Sequence, residues 1–451
     1  MAPEDIDSLD KDDLKPLVLR LLEQNRVLLA RIAELEARAG QPSKTPSNSS
    51  VPPSKGQKAN RPGSTTRRRK GRPGTARALH PAPDQTREIY AEACSCGAAL
   101  SPTDQAQAHA YDFIDLPPIK PVTTRVHLHK GHCPRCKRRV TAKPPADMPP
   151  GSPFGPGIVS VVTYLHACQM VSYSRLTEVL DGLLGCKLSE GAIANMLRRA
   201  ARPFATSADA IAQTVRSAPV IASDETSARV AGKTWWQWPF VCTAAVYHMI
   251  VPTRGKAVPV EFLAGARPDV WISDRLAAQS NHASAHQVCL AHLIRDAQYA
   301  IDAGDTVFAP AFKAFLQRAC AIGRRRPNLT DATIKAYARE LRRERDRLLG
   351  LSTTTTAGSN LRASVSVTAR EKLLVFMTRR DVAPTNNVSE QALRMSVIFR
   401  RVTNGFRSVW GAESYADIRS IVATGQLHGR SPLTSIRAAL VALSAPEAAP
   451  A

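Results

Sequence analysis

The sequence predicts a multidomain α+β protein, with an N-terminal coiled coil, a small cysteine-bearing module, a helix-turn-helix region and an α/β core split by a helical insertion. Three observations carry this. The 451 residues amount to about three domains at roughly 150 residues each. Leucines recur every seven residues near the start and give way to a Pro-, Ser- and Lys/Arg-rich stretch that cannot build a core. Beyond Pro219, short apolar runs end in acids and are followed by long helical patterns.

Charge narrows the partner. Lys and Arg number 61 against 38 Asp and Glu, a net charge of +23, which points to a polyanion and first of all to nucleic acid, ahead of a membrane surface. A basic protein without such a partner is the plainer alternative. The first thirteen residues are acidic and carry no apolar leader, so a cytoplasmic, nucleoid-associated protein is expected. No run approaches about 18 consecutive apolar residues, which excludes an ordinary transmembrane helix. Nine cysteines in such a chain are not expected to pair as disulfides.

Taken in order, residues 1–40 read as a dimerisation segment. Leu14, Leu21, Leu28 and Leu35 serve as d positions, and Val18, Asn25 and Ile32 as a positions. A lone Asn at a is the mark of a short parallel coiled coil, hence a homo-oligomer; the alternative is one amphipathic helix packed on its own chain. Residues 41–85 read as a disordered basic linker. From Gln41 to His80 it holds ten Lys or Arg and no acid, and Arg67, Arg68, Arg69 and Lys70 form a cluster suited to phosphates; a tether that touches nothing is the alternative. Residues 86–148 read as a zinc-finger-like module, with Cys94, Cys96, Cys133 and Cys136 around alternating residues such as Val122, Thr124, Val126 and Leu128. Four thiolates suit tetrahedral zinc, although Cys94-Ser95-Cys96 has a short spacing; His132 is a substitute ligand and four free thiols are the alternative. Residues 149–215 read as helices over Ile158–Gln169, Ser174–Leu184 and Ser189–Ala201. With the turn Gly185-Cys186-Lys187 the last two resemble a helix-turn-helix, which would set Arg198 and Arg199 of the final helix against DNA; an ordinary helical hairpin is the equal alternative.

The core begins at residue 216. Val220 to Ser223 is an apolar strand ending at Asp224, Trp235–Val241 and Ala244–Val251 complete a meander, and Val270 to Ser273 is a further strand ending at Asp274, with a helix after it. Two acids at the tips of strands can meet if the strands are neighbours, which suits Mg2+ or Mn2+ and its oxygen ligands. Residues 301–384 read as a helical insertion, with helices over Ala309–Arg324 and Asp331–Leu349 and a loop over Thr353–Ser359. Residues 385–440 begin with the capping residues Asn386 and Asn387 and continue as a helix, which puts Glu390 and Arg394 one turn apart on one face. Each acid taken singly reads equally as a capping or solvated carboxylate.

These stretches resemble the transposase subunit of the insertion sequence sixty-six family. The resemblance rests on Asp224-Glu225-Thr226 with Gly232, Lys233 and Trp236; on Val270 to Arg275; on Cys289-Leu290-Ala291-His292-Leu293; on Thr385 to Glu390 with Arg394; and on Arg400, Arg401, Gly405 and Ser408 running to a helix over Thr424–Pro432. Ser47 to Ser54, the cysteine pairs and the heptads extend it over nearly the whole chain. Two departures stand out: Gln391 occupies a place where Arg commonly follows the glutamate, and the first cysteine pair is Cys-x-Cys.

The resemblance implies a ribonuclease H-like core over residues 216–300 and 385–440, with Asp224, Asp274 and Glu390 as catalytic acids holding two metal ions. It implies hydrolysis at each transposon end and attack of the freed 3′ hydroxyl on target double-stranded DNA, Arg394 lying near a phosphate, and small accessory proteins of the same element. Cys289 and His292 match a Cys-x-x-His element found after the second acid in several DDE families, and a core role suits them equally. Two rival functions remain at the level of sequence: a catalytically inactive DNA-binding regulator, and an adaptor built on the coil and the cysteine module.

Overall fold

The computed structural model describes residue 16, residues 18–29, residue 31, residues 41–49 and residues 77–441. Two compact units emerge. The smaller comprises residues 58–127 and 177–189, the larger residues 1–57, 128–176 and 190–451.

In the smaller unit a tight turn carries the first cysteine pair. Cys94 N–H donates to the Ala98 carbonyl at 2.8 Å and Gly97 N–H to the Cys94 carbonyl at 2.9 Å, with Gly97 at φ +89°, a conformation that glycine adopts without penalty. The apolar residues that follow find little cover: Phe113 is 84% exposed.

The larger unit opens with helical residues 16, 18–29 and 31, on which Leu21 and Leu28 are exposed; Leu14 and Leu35 lie outside the described residues, as do Ile32 and the cluster Arg67–Lys70. The expected linker departs from disorder in its first residues. Residues 41–49 form a turn in which Asn48, buried, donates to Asp302 at 2.9 Å and Lys44 lies over the Tyr299 ring. The side-chain amide has found a partner that a charge count does not reveal. Strands β1 (Lys130–His132) and β2 (Arg139–Thr141) form an antiparallel hairpin whose turn holds Cys133 and Cys136.

Helices α1 (Pro156–Thr163), α2 (Tyr173–Leu184) and α3 (Glu190–Arg216) follow. Helix α3 runs well past the expected end at Ala201. Phe204, Ala208, Ala212 and Val215 continue its buried face at helical spacing, and this burial outweighs the amide lost at Pro203.

The sheet comprises β3 (Val220–Ser223), β4 (Thr226–Val230), β5 (Lys233–Val241), β6 (Val246–Val251), β7 (Val270–Ser273) and β8 (Ala285–Val288), with α4 (Ala257–Leu263) between β6 and β7. Strands β3 and β4 pair with β5 in one unbroken antiparallel register, from Ala222↔Val241 to Val230↔Lys233. They are a single strand interrupted at Asp224 and Glu225, where the expected strand ended. Continuing the register sets Asp224 against Pro239, which has no amide proton to offer. Strand β7 pairs in parallel with β3, and β8 in parallel with β7. The spatial order is therefore third, second, first, fourth, fifth strand of the core, once β3 and β4 are counted as one.

Alternation along these strands feeds two faces. Ile221 and Trp271 pack with Phe240 and Phe262 on one side; Ala222, Val270 and Ile272 pack on the other against α5 (Leu290–Asp302), α6 (Phe308–Arg325), α7 (Asp331–Leu349) and α8 (Thr356–Ser364). Part of the expected loop 353–359 is thus helix, begun by Thr355, whose side chain accepts from Gly358 N–H. Helices α9 (Asn387–Thr403), α10 (Val409–Leu427) and α11 (Pro432–Val441) close the unit. The stretch 424–432, expected as one helix, is the end of α10, a turn at Gly429 and the start of α11. The edge strand β6 is covered by α10: Ser420 Oγ and Thr424 Oγ1 accept from the amides of His248 and Val246 at 2.8 and 3.0 Å, which removes the unpaired donors of an open edge.

Candidate active site

Asp224 and Asp274 each stand one residue beyond a buried strand, and those strands are parallel neighbours in register, Ala222↔Ile272. Neighbouring strands lie about 4.8 Å apart, so the two carboxylates leave the sheet side by side. Each is oriented by local backbone: Asp224 Oδ1 accepts from Glu225 N–H and Asp274 Oδ1 from Leu276 N–H, both at 2.9 Å.

Glu390 arrives from the first turn of α9. Its Oε1 accepts from Arg295 Nη2 at 3.3 Å and lies 3.8 Å from His292 Nδ1, both on α5. The Cys289, His292 and Glu390 ligand atoms lie within 4.8 Å of one another, the only such trio of His, Cys, Asp and Glu groups found among the described residues. Asn386, at the start of α9, is fully buried and uses its side chain differently from the expected cap. Its Nδ2 donates to the Ser223 carbonyl at 2.8 Å, its backbone N–H donates to Cys289 Sγ at 3.1 Å, and Cys289 N–H donates to the Ser273 carbonyl at 2.8 Å.

The electrostatics are those of crowded, partly dehydrated acids. Burial raises Asp224 well above the usual carboxylate range, and the charges of Glu225, Asp274 and Glu390 add to it. Asp274 is raised by burial against the Leu276 amide and the guanidiniums of Arg254 and Arg275. Burial also drives His292 down to about 4, helped by Arg295 and Arg275, so at neutral pH it meets Glu390 as a neutral ring. Burial likewise pushes the Cys289 thiol up to about 11.

Sequence reasoning passed over several members of this cluster. Glu225 is a fourth acid, but its side chain, 1% exposed, is already paired with Arg254 at 2.5 Å and bonded by Gln279 at 2.8 Å. Arg254 in turn stacks on Trp236 at 4.7 Å. Arg275 pairs with Asp296 at 2.5 Å. The long separations in sequence, as between Glu225 and Gln279, left no pattern to find. Ser223 Oγ, Asn386 Oδ1, Ser389 Oγ, His292 Nδ1 and Arg295 Nε, all buried atoms, have no hydrogen-bond partner among the described residues. Buried polar atoms are nearly always satisfied, so their concentration here marks a place built for something other than stability.

The remaining expected residues lie elsewhere. Arg198 stacks over Trp410 at 5.1 Å and Arg199 donates to the Gly151 carbonyl at 2.9 Å; Arg394 is exposed on α9. Cys133 sits in its hairpin turn, where Lys137 N–H donates to its carbonyl at 2.9 Å. The Cys94 and Cys133 thiols are both held below their ordinary value, chiefly by the amides of Cys96 and Cys136 respectively, which favours the thiolate a metal needs.

The profile described as "Transposase IS66 family" matches residues 151–414, more than half of the chain. The chain belongs to the IS66 transposase family. The matched span includes all three acids and ends within α10. No curated protein matches the chain. Among the described residues of this IS66 transposase, no helix is long and apolar enough to cross a membrane.

Proposed function

We propose that this IS66 transposase cuts DNA at transposon ends and joins them to a target through Asp224, Asp274 and Glu390, on a ribonuclease H-like core. The observation that carries the reading is the convergence of the two strand-end acids, with the charge of Glu390 felt at Asp224. The strand order and the parallel pairing of the acid-bearing strands support the fold. An excess of negative charge buried together, with oxygen donors and a raised Asp224, fits a pair of hard divalent cations such as Mg2+ or Mn2+.

Asp224 and Asp274 would hold the ions and Glu390 would complete the second site. Such ions activate an attacking oxygen and stabilise the leaving one. The chain's own groups set the rest. Arg295 keeps Glu390 oriented toward α5, and Arg254 neutralises Glu225 so that this acid does not compete for the same ions. In cleavage, water attacks phosphorus and the 3′ oxygen leaves; in joining, that 3′ hydroxyl attacks a target phosphodiester and displaces another 3′ oxygen. Arg394, exposed on α9, would meet a phosphate, and the exposed leucines of the N-terminal helix would pair two copies of the chain.

An Asp224→Ala variant tests this against a binding-only regulator. Lost nicking with retained binding to the terminal repeats is expected. Nicking at the wild-type rate would reject the assignment, and wild-type binding without any nicking would favour the regulator.

A further inference from the structure

We infer that Asn386 and Cys289 are positioning residues that set the spacing of the three acids, by pinning the backbone beside each acid to the other two. The inference deepens the reading above and rests on it.

The bonds form a continuous path. Ser223, the residue before Asp224, gives its carbonyl to Asn386 Nδ2 at 2.8 Å. Asn386, four residues before Glu390, gives its amide proton to Cys289 Sγ at 3.1 Å. Cys289 gives its own amide proton to the carbonyl of Ser273, the residue before Asp274, at 2.8 Å. Asn386 also accepts from Glu390 N–H at 3.2 Å through its carbonyl, so the path ends on the third acid itself. Both linking residues are fully buried, which holds these bonds in a low-dielectric setting where they are strong and directional.

The chemistry of each link fits a positioning task. The amide of Asn386 is one of those that a helix start leaves unpaired, and the Cys289 sulfur takes it. The Asn386 side chain, free of capping duty, reaches across to the strand. A slide of β3 against β7, or of α9 against either, would have to break one of these bonds. Octahedral Mg2+ tolerates little such movement, and partners that orient metal ligands govern affinity by about 10–100-fold.

The test measures Mn2+ binding by the full-length protein, from the electron paramagnetic resonance signal of free Mn2+, together with the melting temperature. Asn386→Ala is expected to weaken binding at the acid cluster about 10-fold or more. Cys289→Ala should do the same, whereas Cys289→Ser, which keeps an acceptor for the Asn386 amide, should recover most of it. Variants that bind Mn2+ within about two-fold of wild type, or a Cys289→Ser no better than Cys289→Ala, would overturn the inference. If Asn386→Ala does not fold, the comparison of the two Cys289 variants decides. A wild type that binds no Mn2+, or binds it unchanged after Asp224→Asn, would instead overturn the metal-site reading itself.

Discussion

The acid-bearing sheet and the cysteine-bearing segment handle their apolar residues in opposite ways. Trp271, beside the second acid, is 1% exposed, whereas Phe113, between the two cysteine pairs, is 84% exposed. The sheet is supported from both faces by its own chain, by Phe240 and Phe262 on one side and the insertion helices on the other. It can therefore hold the dehydrated carboxyls of Asp224 and Asp274 and several buried polar atoms without a partner among the described residues, a strain that only a well-packed scaffold sustains. Residues 77–127 have tight turns and a Cys94 thiol held below its ordinary value, but no apolar core, so they gain little from apolar burial. The contrast separates a scaffold that can sustain buried charge from a segment with no apolar core of its own.

Four perturbations sharpen that contrast. Replacing Asp224 or Asp274 is expected to reduce cleavage on the order of 10^3-fold or more, with little change in end binding, as single-turnover kinetics would reveal. Cys94→Ser is expected to lower the zinc detected by elemental analysis and to expose residues 77–127 to protease, while the main melting transition stays in place; a joint collapse would show that the two regions are one cooperative unit. Asp224→Asn, assayed without divalent metal, is expected to raise the melting temperature by a few degrees, roughly 2–4 °C per kcal/mol for a domain of this size. The sign follows from linkage: a carboxyl raised on folding stabilises at low pH, and that contribution is lost as pH rises through the folded-state value. The metal-free wild type should therefore weaken from acid toward neutral pH more steeply than Asp224→Asn. The smallest effect is expected at Asn48→Ala, which breaks the bond to Asp302 and costs about 1 kcal/mol; hydrogen exchange would rise in residues 41–49 and leave the sheet untouched.

Much of the scaffold was legible because apolar periodicity and burial coincide there. The runs before Asp224 and Asp274, the insertion helices and the start of α9 all announce themselves. Strand β8 did not: Ala285–Val288 contains His286 and Gln287, and Gln287 is buried because it finds the Val288 and Leu373 carbonyls and the Phe376 amide, partners supplied only by the folded chain. The continuation of β3 into β4 was hidden by the acids that interrupt it. Asn386 read as a cap because Asn at a helix start ordinarily is one; its reach to Ser223 depends on a strand 163 residues away. Gly405 shows the same limit, since a Cβ there would lie 2.5 Å from the Arg229 carbonyl, a contact no local pattern encodes.

The most direct test is cleavage of DNA bearing the element's own ends, with wild type, Asp274→Asn and Glu390→Gln compared under Mg2+ and under a chelator at matched end occupancy. The account predicts strand cleavage by wild type with Mg2+ alone, abolished by the chelator and by either substitution. Cleavage that persists in Asp274→Asn or Glu390→Gln would contradict it.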